Sequence, residues 1–130
     1  MVFIDTSAFF AVLDAEDANH TVAKAAWIEL IEQDEPLICT NYVLLETIAL
    51  VQHRLGMSAL RAFEDDIVPL ILVHWIDEPL HRLGVAAVLM ANQQLSLVDG
   101  LSFEVARRRG ISRVLAFDRH FAEQGFTCLG

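Results

Sequence analysis

The chain has 130 residues, enough to build one hydrophobic core and too few for two. Apolar residues make up 55% of it, but they come in short runs broken by charge. None reaches the roughly 18 residues that a membrane-spanning helix needs. The net charge of −9 argues against binding nucleic acid through a broad basic surface.

The first residues, Met1-Val2-Phe3-Ile4-Asp5, lack a basic n-region and meet an acid at once. No secretory signal is expected, and a soluble cytoplasmic protein is the default. Val2-Phe3-Ile4 reads as a buried strand. A short apolar segment follows, and Asp14 to Asn19 is polar and turn-like. From Ala18 to Gln33 the apolar residues Val22, Ala25, Ala26, Ile28, Leu30 and Ile31 recur at helical spacing. Pro36 stops that helix, and Leu37-Ile38-Cys39 is a second strand. Thr40 or Asn41 can cap the next helix, which runs to Leu55 and ends at Gly56. Ser58 opens another as far as Ile67. Pro69 punctuates, and Leu70 to Trp75 is a third strand. Asp77 caps a helix with Pro79 in its first turn, and that helix ends near Asn92. Asp99 begins one more, closed by Gly110. Arg113 to Phe117 is a fourth strand, followed by a short helix and a last strand at Phe126-Thr127-Cys128. Strands alternating with helices, without repeat or linker, predict one α/β domain over residues 1–130. Its mainly parallel sheet is covered on both faces.

Cys39 and Cys128 each sit in a short apolar run and are expected as buried free thiols. Eight of the nine basic residues are Arg, the better residue for forked contacts with phosphate, and Arg107 to Arg109 are consecutive. Cations there also suit the end of a helix. A local arginine rim around an acidic pocket is therefore compatible with the charge. Trp27 and Trp75 read as core or dimer-contact aromatics. The apolar excess fits a covered surface, such as a dimer interface or a partner groove.

In such folds the ligand crevice lies at the carboxyl ends of the strands. Asp5 follows the first strand and Asp118 follows the fourth. Each alone could be a turn residue. Glu46 lies in Tyr42-Val43-Leu44-Leu45-Glu46-Thr47-Ile48-Ala49-Leu50-Val51, a helix apolar nearly all round and so expected to be buried. A buried carboxylate needs a cation or hydrogen bonds; the alternatives to a functional role are an ion pair with an Arg, or a place at the helix edge where the charge reaches water. Asp99 reads as a helix N-cap that can still direct one oxygen into a crevice. Four converging carboxylates repel one another unless a hard divalent ion resolves the conflict. Mg²⁺ or Mn²⁺ takes oxygen ligands and can activate a water for phosphodiester hydrolysis. His20, His53, His74, His81 and His120 share no ligand spacing and are expected at the surface or in the core.

At Phe3-Ile4-Asp5-Thr6-Ser7, Glu46, Leu97-Val98-Asp99 with Arg107-Arg108-Arg109-Gly110-Ile111, and Phe117-Asp118-Arg119-His120-Phe121, the sequence resembles the PIN-domain family. It is most similar to the VapC-type toxins of toxin–antitoxin pairs, along the whole chain and in order. The resemblance implies a three-layer α/β/α sandwich and a metal-dependent endoribonuclease, the toxin of a type II pair. It also implies a homodimer held inactive by a cognate antitoxin. Asp5, Glu46, Asp99 and Asp118 match the family's four acids, and Ser7 matches a small polar residue that supports the site. Its other reading is a helix N-cap hydroxyl. Two positions depart. Ala116 stands where the family often has Thr or Ser, which removes a polar group near the metals, and Gly100 replaces a small side chain.

Two rival classes are weighed against this. Asp5-Thr6-Ser7 lacks the second Asp of a haloacid-dehalogenase-like phosphatase. Lys24, the single Lys, lies on an early helix and cannot serve as a receiver-domain lysine. No Gly-rich phosphate loop is present. The second rival keeps the fold but only binds RNA or protein. Ala116 gives it weight, and the retention of all four acids speaks against it.

Overall fold

The structure is a computed structural model, and it describes residues 1–91 and 94–130. Five parallel strands form one sheet: β1 (Val2–Ile4), β2 (Leu37–Thr40), β3 (Ile71–His74), β4 (Arg113–Leu115) and β5 (Thr127–Leu129). Their order is β3-β2-β1-β4-β5. The helices between them are α1 (Thr6–Leu13), α2 (His20–Glu32), α3 (Asn41–Arg54), α4 (Met57–Ala62), α5 (Glu78–Met90), α6 (Leu97–Arg108) and α7 (Arg119–Glu123). They flank the sheet in the expected α/β/α arrangement. None of the described helices is long and apolar enough to cross a membrane.

β1 is central because all three of its residues are apolar and fully buried. It pairs with β2 through Val2 and Leu37 and with β4 through Ile4 and Leu115. The chain moves from β1 to β2 and β3 on one side, then returns to place β4 and β5 on the other. The strand order therefore reverses between β1 and β4, the position where open parallel sheets leave a crevice at their carboxyl edge. Phe3, Phe9, Phe63 and Phe121 are the largest fully buried side chains. Phe9 meets Phe63 edge to face at 5.2 Å between centroids, and Phe121 meets Phe103 at 4.9 Å.

Several elements differ from the sequence reading. The short apolar segment after β1 is a full helix, α1. Its residues Thr6, Ala8, Phe9, Phe10 and Ala11 are all buried, so no polar face marks a helical period. The helix expected from Ser58 to Ile67 is α4 followed by a π turn at Phe63–Ile67 and a 3-10 turn at Val68–Leu70, where Pro69 sits. β3 therefore starts after Leu70 and stops before Trp75. β4 ends two residues earlier than expected and β5 starts one later. The end of the fifth helix was expected near Asn92, which lies outside the described residues; α5 extends to Met90.

The cysteines divide. Cys39 on β2 is buried, and that burial pushes its thiol up to about 12. Cys128 is exposed, contrary to expectation, because β5 is an edge strand. Trp27 packs against Phe9, whereas Trp75 is 72% exposed beyond the end of β3.

Candidate functional site

Asp5 leaves β1 and caps α1. Its Oδ2 accepts hydrogen bonds from the Ser7 N–H at 3.1 Å and from the Ser7 hydroxyl at 2.7 Å. The Ser7 Oγ in turn accepts from the Phe117 N–H at 2.9 Å. Asp5 N–H donates to Leu115 O at 3.1 Å. Ser7 is thus not itself the cap; it ties the chain leaving β1 to the chain leaving β4. One residue beyond Phe117, Asp118 caps α7, with Oδ1 accepting from the His120 N–H at 2.8 Å.

Asp99 arrives from the other direction. It is the third residue of α6 rather than the cap: Ser96 holds that place and accepts from the Asp99 N–H at 3.0 Å. The carboxylate is thereby released from capping and points to His120, whose Nδ1 lies 3.3 Å from Asp99 Oδ2. Donor atoms of Asp99, Asp118 and His120 lie within 4.8 Å of one another. His120 lies at the surface, one of the two places expected of the histidines, and it stands beside two of the four acids. The signal in the sequence is Asp118-x-His120 at a helix start, since a cap at Asp118 folds the second helical residue back over it.

Glu46 lies on α3 and is exposed, which corrects the expectation of burial. Its helix is not buried all round, because the neighbouring Leu45 is also 68% exposed. α3 leaves β2 at the same sheet edge, capped by the Thr40 Oγ. The next residue, Thr47, is fully buried and donates to Thr6 Oγ1 at 3.3 Å, and Thr6 donates to Val43 O at 3.4 Å. These bonds join α3 to the first turn of α1 beside Asp5, two threonines to which the sequence reading gave no role. The case from a buried Glu46 therefore falls, and the buried carboxylate is Asp5.

Asp5 is 4% exposed, and its Oδ1 is buried with no hydrogen-bond partner among the described residues. Burial raises its carboxyl to about 6, against the pull of the two Ser7 hydrogen bonds, and the negative charges of Asp99 and Glu46 add to the rise. His120 is shifted upward as well, chiefly by its hydrogen bond with Asp99 and then by the charge of Asp118. A buried carboxylate with further negative charge near it favours a cation beside it. An unpartnered buried oxygen and a set of oxygen donors fit a hard divalent ion such as Mg²⁺ or Mn²⁺.

The two departures have local accounts. Ala116 is buried at 5% exposure, and the polar support that a hydroxyl there would give falls to Ser7 Oγ, bonded to the next residue's N–H. At Gly100 a Cβ would sit 3.0 Å from Leu95 Cδ2, so glycine there lets Leu95 pack on α6. The three consecutive arginines are engaged within the chain. Arg107 bonds Gln124 and lies over the rings of Phe103 and Phe126, Arg108 pairs with Glu104, and Arg109 donates to His74.

Comparison with known proteins agrees with this fold. Residues 2–126 match the profile of the PIN domain. The chain is 33% identical over 130 residues to the 23S rRNA-specific endonuclease VapC20 of Mycobacterium tuberculosis, in strains CDC 1551 and H37Rv alike. That match covers 98% of this chain and 96% of the relative. The crystal structure of Mycobacterium tuberculosis VapC20, described as a sarcin–ricin-loop-cleaving toxin, superposes with a TM-score of 0.84 at 29% identity. It covers 98% of this chain and 97% of that one. FitAcB from Neisseria gonorrhoeae has a TM-score of 0.72 at 17% identity, covering 100% of this chain and 97% of the other, and this likeness is one of fold.

Proposed function

This chain belongs to the PIN-domain family, and from that premise we propose that it is a metal-dependent endoribonuclease, the toxin of a type II toxin–antitoxin pair. Residues 1–130 act as one domain carrying that activity. The observation that carries the reading is Asp5: a buried carboxylate at the sheet's reversal point, one oxygen held by Ser7 and the other without a hydrogen-bond partner among the described residues. Asp5, Asp99, Asp118 and Glu46 would hold Mg²⁺ or Mn²⁺, which supplies an activated water and stabilises the leaving oxygen of the phosphodiester.

The chain's own residues set the positions. Ser7 fixes the angle of the Asp5 carboxylate and the distance between the exits of β1 and β4. The Ser96 cap orients the first turn of α6, so that Asp99 projects toward Asp118. Glu46 is open to solvent on α3, and its negative charge is felt at Asp5. Beside it Tyr42, Leu45, Ala49, His81, Leu97 and Val98 line a cavity of about 420 Å³.

The substrate class is structured RNA, and ribosomal RNA of the large subunit is the first candidate, since the relative that is similar over the whole chain is named for it. Two further expectations belong to this reading. Leu45, Trp75, Leu89 and Met90 are 68%, 72%, 76% and 88% exposed, an unusual number of large apolar side chains in water, and they support a homodimer and a docked antitoxin. The cytoplasm, where the RNA is, is the matching compartment.

The test is cleavage of end-labelled structured RNA, with a 23S rRNA fragment among the substrates, by pure protein in Mn²⁺, in Mg²⁺ and in EDTA. Asp5→Asn runs alongside. Metal-requiring cleavage that the substitution abolishes is the expected result. No cleavage, together with no metal-dependent rise in thermal stability, overturns the reading in favour of a binding module.

A further inference from the structure

His120 stands among the candidate carboxylates. Its Nδ1 is 3.3 Å from Asp99 Oδ2 and 3.3 Å from Asp118 Oδ1. Adjacent ligand atoms around an octahedral ion with bonds of about 2.1 Å lie about 3 Å apart, so the ring nitrogen already holds the separation of a ligand from two others. Asp5 is not one of this trio, and a second observation concerns it. Asp5, whose carboxylate feels the charge of Asp99, keeps one oxygen buried and without a hydrogen-bond partner among the described residues. We propose that His120 is a metal ligand, its Nδ1 joining Asp99 and Asp118 so that the centre is a mixed nitrogen–oxygen site. The proposal rests on reading the acidic cluster as a metal centre.

The backbone keeps the ring in place. The His120 N–H bonds Asp118 Oδ1, so the Asp118 side chain and the ring share the first turn of α7. That bond survives replacement of the side chain, and the ring is about half-exposed, 46%, so its loss leaves no core cavity. The chemistry of the donor set then changes. Carboxylates serve Mg²⁺ and Mn²⁺ alike, whereas imidazole suits transition metals. A nitrogen ligand therefore shifts the preference of the site from Mg²⁺ toward Mn²⁺.

The experiment uses the full chain and Mn²⁺ at one equivalent, with His120→Ala and the size-matched His120→Gln. Pulsed electron paramagnetic resonance of bound Mn²⁺ reads the nitrogen modulation of a directly bound imidazole. Titrations of Mn²⁺ and of Mg²⁺ give the two affinities. The expected result is nitrogen modulation in the wild type that both variants lose. Mn²⁺ affinity should fall by about tenfold or more, with a smaller change for Mg²⁺. Mn²⁺ that binds equally well in all three proteins without nitrogen modulation, while RNA is still cut, overturns this proposal and leaves the ribonuclease reading standing. A protein that neither binds Mn²⁺ nor cuts RNA overturns both.

Discussion

Ser7 donates its hydroxyl proton to Asp5 Oδ2 at 2.7 Å, and the Ser7 Oγ accepts the Phe117 N–H at 2.9 Å. One side chain thus sets the attitude of the most buried carboxylate and the path of the chain toward Asp118. Ser7→Ala leaves the Phe117 N–H and Asp5 Oδ2 each short of a partner. The expected loss is about 1–3 kcal/mol of stability and about 10–100-fold in metal affinity. Urea denaturation and Mn²⁺ titration check the two separately; unchanged metal affinity would remove Ser7 from the site.

Asp5 gives a pH dependence with a definite sign. Its carboxyl rises from the ordinary 3.8 to about 6 in the metal-free fold. Between those values the folded state keeps a proton that the unfolded chain has released. Stability therefore falls as pH rises through this window, and the full cost stands above about pH 6. A shift of this size corresponds to roughly 2–3 kcal/mol. Asp5→Asn, free of that cost, should be more stable than the wild type in EDTA at pH 8, and the gap should close near pH 4. Mn²⁺ at pH 8 should stabilise the wild type and leave the variant unmoved. Thermal melts at the two pH values, with and without metal, read all of this.

Glu46 separates chemistry from folding. The side chain is exposed and makes no ion pair among the described residues. Glu46→Gln should change stability by less than about 0.5 kcal/mol, while cleavage falls by about tenfold or more. A variant that melts normally and cuts RNA at the wild-type rate would remove Glu46 from the site.

Gly84 on α5 packs directly against Leu101 on α6. A Cβ there would meet Leu101 Cδ2 at 2.7 Å and Cγ at 2.8 Å, and Leu101 is fully buried. The better helix propensity of alanine, about 1 kcal/mol, does not offset an overpacking cost of about 1–3 kcal/mol. Gly84→Ala should destabilise the fold. Because Leu101 lies two residues beyond Asp99, it should also weaken Mn²⁺ binding. Calorimetry with and without metal distinguishes the two effects.

The parallel sheet was legible because its strands are short, apolar and bounded by Pro36, Pro69 and Asp118. β1 matches to the residue, and β2 gains only Thr40, the residue that caps α3. α1 was not legible, because a helix buried on nearly every side has no polar stripe to betray its period. Glu46 misled for a related reason. Its apolar neighbours suggest a core helix, yet Leu45 and Ala49 face solvent, and one sequence does not say which apolar residues await a partner. Asp5, Asp99 and Asp118 could be picked out as strand-end and helix-start residues, but not the division of labour among them. Which oxygen caps, which is free and which ring stands between them depends on side-chain directions at Ser7, Ser96 and His120.

The division of Asp5 into one bonded and one unbonded oxygen limits how this chain can be silenced. Oδ2 holds the first turn of α1 and, through Ser7, the exit of β4; Oδ1 makes no hydrogen bond among the described residues. Alanine at this position would remove both oxygens and weaken the fold along with the chemistry. Asparagine keeps one carbonyl oxygen for Ser7. An intact but inert copy, suited to capturing an uncut RNA or an antitoxin, is therefore reached by changing a single atom at the edge of β1.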